Sequence, residues 1–459
     1  MFFSPFASRS VRLAMLAVAW ALAAPAAHAA LDAVPTTRLE DSLRCLLGVY
    51  ALAPGAEPSA VIINGLDGQP RGLRYTLSDG RFGDLKETAD GSFASGALSI
   101  RFEACAAGRL SLALGAATLT GRRQPLPEQH TRFRSDGIDL HGKLVLPAGG
   151  QAQALAVWVE GSNNNPASDD SVWPYELARR GVAVFVYDKR GTGLSAGAPT
   201  SDFQARARDT AAAVQAARRL APGIGRVGVI GGSQGGWVAP LAATLVPLDF
   251  VVAACALADG PIAQDRAVVA EQLREAGFGA QAEAPAAELT AITRQVVLSG
   301  GQQGLEELDA FKSRHAGAAW LKAIQPRSYT GLLLAVSSEQ IRSAGAAMAQ
   351  GLPFGYEPGP VIASLPQRQL WLLGGRDRQA PNAETQRILR RLQQQGRPIS
   401  VAVFAQAGHG LVESRPGPGP GGDVPAYADR MFELTADWIL QARLPAAGEF
   451  MTLERWHGR

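Results

Sequence analysis

Apolar and polar positions alternate over short segments between residues 30 and 125, as in Gly72–Leu77 and Leu98–Phe102. Asp67-Gly68, Asp79-Gly80 and Asp90-Gly91 punctuate them. Period-two alternation broken by turn residues predicts a small β-rich accessory domain, a meander or barrel. Gln124–Gln129, which contains two prolines, reads as a linker. From Asp136 the pattern changes. A hairpin strand over Gly142–Leu146 ends at Pro147, and apolar runs follow at Leu155–Val159, Val182–Tyr187, Arg226–Ile230, Phe250–Leu257, Gln369–Leu373 and Ser400–Phe404. Helical periodicity fills the gaps, for example over Phe203–Leu220 and Gly236–Leu245. Apolar strands separated by helices predict an α/β core, a mainly parallel sheet covered on both faces, built from residues 136–258 and 359–445. Residues 259–358 carry helix-like stretches and no clear strand, which is the position and size of a helical cap over the carboxyl ends of the strands.

The first 29 residues follow different rules. Arg9 and Arg12 precede the apolar run Leu13–Ala24, and Ala27-His28-Ala29 offers an A-x-A cleavage site. The run is 12 residues long, short of the roughly 20 that span a bilayer as a helix. This is the pattern of a secretory signal peptide, so a mature chain starting near Ala30 is expected in the periplasm or outside the cell, with no stable membrane span.

Charge adds an exclusion. The 44 basic and 41 acidic residues are scattered and sum to +3, with no basic block, so nothing points to a nucleic-acid partner. Of the three cysteines, Cys45 and Cys105 both fall in the β-rich segment, and export would permit a disulfide between them as readily as two buried thiols. Cys255, inside an apolar run, reads as a core residue. No Cys/His cluster has metal-ligand spacing, and no cofactor is implied.

The pattern G-x-S-x-G occurs twice, at Gly231–Gly235 and Gly193–Gly197. In a chain with 51 glycines the pattern alone is weak, and context separates the two. A nucleophile elbow needs a strand running straight into the turn and a helix leaving at once. Ser233 has Val227–Ile230 before it and Trp237–Leu241 after it, whereas Ser195 lies several residues beyond its strand and reads as an ordinary loop. A serine hydroxyl needs a base. His409, after the strand Ser400–Phe404, is the best of six histidines: His28 leaves with the signal peptide, His130 and His141 precede the first core strand, His315 lies in the cap, and His457 is in the tail. The orienting acid should fall between serine and histidine in chain order, which selects Asp377, with Asp259 in reserve. Asp188, earlier in the chain, reads as a loop buttress. An oxyanion hole would use the backbone N–H of Gln234 and a second amide from Glu160–Asn165, with Ser162 favoured, although that loop is also what an Asn-rich turn looks like.

Tyr187-Asp188-Lys189-Arg190-Gly191-Thr192-Gly193, Gly232-Ser233-Gln234-Gly235-Gly236-Trp237 and Gly408-His409-Gly410 together resemble the α/β-hydrolase family. The nearest branch is exported carboxylesterases and serine aminopeptidase-like hydrolases with a helical cap. The resemblance covers about residues 136–445 and implies an α/β-hydrolase fold. One departure stands out. The family often has His-Gly where this chain has Glu160-Gly161, which puts the second oxyanion donor in question and would bring an anion near the entrance.

The leading reading is a serine hydrolase that cleaves carboxylic esters through an acyl-enzyme, acting on a small acyl substrate or a short peptide. An aminopeptidase or amide hydrolase would need an acid for the substrate ammonium, for which Glu160 and Glu357 are candidates. A thioesterase would be short of coenzyme A substrates outside the cytoplasm, and a noncatalytic ligand-binding protein would have no reason to keep three triad residue types in order. Trp173, Tyr175, Trp320, Tyr329 and Tyr356 are candidates to line an acyl pocket, against the ordinary reading of aromatics as core. Pro416–Gly422 reads as a mobile rim or a spacer.

Overall fold

The computed structural model describes residues 39–53, 59–65, 71–349, 353–417, 422–442, 444 and 451–454. The signal-peptide reading of residues 1–29 lies outside them, as do residues 418–421 of the rim segment.

The β-rich segment closes on itself. Strands β1 (Gly48–Ala53), β2 (Ser59–Asn64), β3 (Leu73–Leu77), β4 (Phe82–Glu87), β5 (Phe93–Ser95), β6 (Leu98–Phe102), β7 (Arg109–Leu114) and β8 (Ala117–Arg123) form a closed antiparallel meander, with β1 paired to β8. Inward residues such as Ile62, Leu73, Ile100 and Leu112 are fully buried, as alternation requires of a barrel interior. Closure also removes both sheet edges. Cys45, just after the helix Asp41–Arg44, is disulfide-bonded to Cys105 between β6 and β7, tying the entry helix to the barrel wall.

The main sheet has nine strands. In addition to β9 (Glu128–Ser135), β10 (Ile138–Val145), β11 (Ala154–Val159), β12 (Val182–Tyr187), β13 (Arg226–Gly232), β14 (Phe250–Ala254), β15 (Arg368–Gly374) and β16 (Ile399–Phe404), it takes up β19 (Met451–Glu454) at one edge. Its order is β19-β16-β15-β14-β13-β11-β12-β10-β9. Strands β11 to β16 run parallel, while β9, β10 and β19 are antiparallel to their neighbours. Strands β11 and β12 are buried along their whole length. Successive residues feed opposite layers: Ala156, Trp158, Val184 and Val186 pack toward helices Trp173–Ala178 and Met431–Gln441, and Leu155, Val157, Ala183 and Phe185 toward Phe203–Leu220 and Gly235–Leu245. The sheet begins at Glu128, eight residues before the expected start, so the last two residues of what read as a linker belong to edge strand β9.

Helices Pro261–Glu275, Gly279–Leu298, Leu305–Arg314, Ala319–Ala323, Tyr329–Leu334 and Ser338–Ala349 follow β14 and share a core of their own around Leu289, Leu308, Phe311 and Ile341. The chain returns through helix Pro358–Ser364 to β15. A separate two-stranded ribbon, β17 (Val412–Pro416) with β18 (Asp423–Tyr427), follows β16. Among the described residues, no helix is long and apolar enough to cross a membrane.

Candidate active site

Ser233 sits where β13 runs straight into helix Gly235–Leu245 and adopts φ +51°, a left-handed conformation that costs a non-glycine residue of order 1–3 kcal/mol. The surroundings hold it there. Ser233 N–H donates to Ala254 O at 2.8 Å, and the turn packs so closely that a Cβ on Gly231 would lie 2.2 Å from Gly235 O, and one on Gly235 2.1 Å from Val159 O. Glycine is therefore required at both flanks of the serine.

The structure brings the three sequence-predicted side chains together. His409 Nε2 lies 3.0 Å from Ser233 Oγ, and His409 Nδ1 lies 2.9 Å from Asp377 Oδ2. Asp377 follows β15, and its side chain is 1% exposed. Its other oxygen accepts from the backbone N–H groups of Gln379 (3.0 Å) and Ala380 (2.7 Å), so the carboxylate is fixed before it meets the imidazole. In this arrangement the imidazole can take the serine proton while the carboxylate stabilises the resulting cation. The reserve acid is elsewhere: Asp259 accepts from Thr385 Oγ1 at 2.6 Å, and burial raises its carboxyl above the usual range.

Gln234 opens the helix after the serine, and its side chain turns away to accept from Arg206. That leaves its backbone amide at a helix N-terminus beside the nucleophile, where amide hydrogens favour developing negative charge. On the opposite loop Gly161 is the residue against the serine, its Cβ direction 3.3 Å from Ser233 Cβ, while the Ser162 side chain is exposed next to it.

Glu160 does not reach the entrance, which corrects the expectation of an anion there. It is 5% exposed beneath the loop, with its Oε2 3.6 Å from Lys189 Nζ. Burial pushes the carboxyl up to about 7 against the pull of Lys189 and Arg206, and pushes the Lys189 ammonium down to about 8 against the pull of Glu160. Lys189 Nζ also donates to Gly161 O at 2.9 Å and to Asn163 O; Arg206 donates to Gly161 O at 3.1 Å and to Glu160 O. These two cations hold the carbonyls of the loop. Sequence reasoning gave neither of them a role. Arg206 had a signal, since it falls on the buried face of Phe203–Leu220 among Phe203, Ala207, Thr210 and Val214.

The remaining candidates are structural. Asp188, 0% exposed, accepts from Ser168 N (3.0 Å) and Leu194 N (3.0 Å) and meets His141 Nδ1 at 3.1 Å. Ser195 Oγ donates to Asp188 O at 2.6 Å, as suits an ordinary loop serine. His130 pairs with His141, and His315 stacks on Phe311 in the cap. Trp173 stacks on Trp158 and Tyr175 bonds Lys143 and Glu128, both in the core, while Trp320 and Tyr329 are half-buried and pack on Phe311 and Phe354 of the cap. Tyr356 alone is half-buried near the serine helix, with its ring on Phe203 and its hydroxyl 3.5 Å from Trp237 O. The cap leans on the acid loop through Arg378–Glu275 (2.6 Å) and Gln264 Nε2 to Gln379 O (2.8 Å). No group of three metal-binding side chains occurs among the described residues.

The model of the alpha/beta hydrolase family matches residues 140–418. No curated protein is a match. Among solved structures, an esterase of Pyrococcus furiosus is 16% identical over 62% of this chain and 84% of its own, with a TM-score of 0.38. A thermophilic esterase of Thermogutta terrifontis is 19% identical over 61% and 91%, with a TM-score of 0.34. An acylaminoacyl peptidase of Pyrococcus horikoshii is 14% identical over 77% and 52%, with a TM-score of 0.38. With its family model covering more than half of its length, the chain belongs to the α/β-hydrolase family.

Proposed function

We propose that this chain is an exported serine hydrolase that cleaves carboxylic esters. The observation that carries the reading is the continuous hydrogen-bonded set Ser233, His409 and Asp377. Ser233 Oγ attacks the acyl carbon while His409 Nε2 takes its proton, and His409 then gives that proton to the leaving alcohol. A water molecule, deprotonated by the same imidazole, releases the acid from the acyl-enzyme. The backbone N–H of Gln234 and an amide of the Gly161–Ser162 segment receive the negative charge on the tetrahedral oxygen.

The ester reading is supported over the aminopeptidase reading by the fate of Glu160, which is spent on Lys189 under the loop and is not free to hold a substrate ammonium. Glu357 is exposed at the start of helix Pro358–Ser364. Export is supported by the Cys45–Cys105 disulfide, a bond that persists in oxidising compartments. Turnover of a graded series of 4-nitrophenyl acyl esters against aminoacyl 4-nitroanilides tests the proposal. Ester hydrolysis that vanishes in Ser233→Ala supports it, and a preference for the anilides rejects the ester assignment.

A further inference from the structure

The ribbon that follows His409 depends on the barrel. His409 lies in a tight turn, and the chain passes through Gly410 (φ +76°) and Leu411 (φ +58°) directly into β17. One side of this turn is held by the acid loop, where Arg376 N–H donates to Ala407 O at 2.9 Å. The other side is held by the ribbon: Gly408 N–H donates to Val412 O at 2.7 Å, Ala428 N–H to Leu411 O at 2.8 Å, and Val412 pairs with Tyr427. The ribbon has two strands only, and a two-stranded antiparallel pair is marginal by itself.

Its support is the β3–β4 turn of the barrel. Tyr427 N–H donates to Gly80 O at 2.9 Å, Arg81 bridges Ala426, and Arg415 donates to Asp79 O. Phe82 stacks on Tyr427 with ring centroids 4.7 Å apart, and the Arg74 guanidinium covers the other ring partner at 5.3 Å from the Phe82 centroid. The fit leaves no slack, because a Cβ on Gly80, itself at φ +85°, would lie 2.7 Å from Tyr427 O.

We infer that Gly80 and Phe82 of the barrel are positioning residues for His409, acting through Tyr427 and the β17–β18 ribbon. The barrel is then part of the catalytic machinery by support, touching no substrate. The inference rests on His409 being the base. A displacement of the imidazole of about 1 Å can cost 10²-fold in rate.

The test uses the full mature chain and a 4-nitrophenyl ester, with active sites counted by fluorophosphonate incorporation carried to completion and folding checked by circular dichroism. Gly80→Ala and Phe82→Ala should lower kcat per labelled site tenfold or more with KM changed less than about twofold, and Tyr427→Phe, which keeps the ring stack, should retain kcat. Loss of thermal stability with kcat per site unchanged would reduce the contact to fold maintenance and overturn the inference. His409→Ala runs alongside: if it turns over like the wild type, the base assignment itself fails. If it is inactive while the barrel variants are normal per site, only the positioning role falls.

Discussion

His409 Nε2 and Nδ1 lie 3.0 Å from Ser233 Oγ and 2.9 Å from Asp377 Oδ2, so one ring makes both contacts. A neutral imidazole can do so in one tautomer: the proton sits on Nδ1 and is donated to the carboxylate, and Nε2 accepts from the serine. Asp377→Asn would present an amide N–H to Nδ1 and favour the opposite tautomer. We predict a fall in kcat of about 10⁴ with little change in KM. Steady-state kinetics on an ester substrate check it, and a loss below tenfold would deny Asp377 the orienting role.

Lys189 is predicted to matter without touching the triad. Lys189→Met would leave the carbonyls of Gly161 and Asn163 without their ammonium and Glu160 buried without its partner. Breaking a buried pair on one side costs about 3–5 kcal/mol, and misplacing an oxyanion amide costs about 10²–10³ in kcat. Adding Glu160→Gln to this variant should return part of the melting temperature and little of the rate. Recovery of both together would show that the loop is indifferent to the Lys189 ammonium.

Asp170 gives a pH signature. Burial, then the nearby charge of Glu160, holds its carboxyl well above the usual range, and its Oδ2 has no hydrogen-bond partner. A folded pKa above the unfolded one means that the stabilisation is present below about pH 4 and is lost as pH rises through the folded value. Asp170→Asn removes that loss. Thermal melts should show the variant gaining on the wild type as pH rises above about 4; a change in the opposite direction would contradict the buried-carboxylate account.

The barrel should depend on its disulfide. The bond closes a loop across a sequence separation of 60, worth about 4 kcal/mol on the chain-entropy model. Cys45→Ser should lower the denaturant midpoint of the barrel transition, and an unchanged midpoint would place the stability in the strand pairing alone.

Much of this was legible because the parallel strands are buried on both faces. Val182–Tyr187 is six apolar residues in a row, and it became β12 with the same bounds. Ser233 could be told from Ser195 by the strand before it and the helix after it, and His409 by elimination. Edge structure was not legible in the same way. In β9 only Phe133 and Ser135 are buried, so Glu128–Ser135 carries too little apolar pattern to separate it from a linker. The β17–β18 ribbon contains Pro416 and Pro425 and packs on the distant Gly80 turn, a tertiary relation with no local signal. The Glu160 side chain was read as facing the entrance because spacing cannot give direction. Burial beside Lys189 and Arg206 settled that, and no pattern in residues 160–165 announces it.

Every step of this mechanism requires Ser233 to be an activated nucleophile. Purified mature protein treated with a fluorophosphonate, digested and mapped by mass spectrometry tests it most directly. An activated Ser233 should give one stoichiometric adduct, on the peptide containing Ser233, lost in Ser233→Ala and slowed at least 10³-fold in His409→Ala. Absence of an adduct on folded protein, or labelling that survives Ser233→Ala, would contradict it.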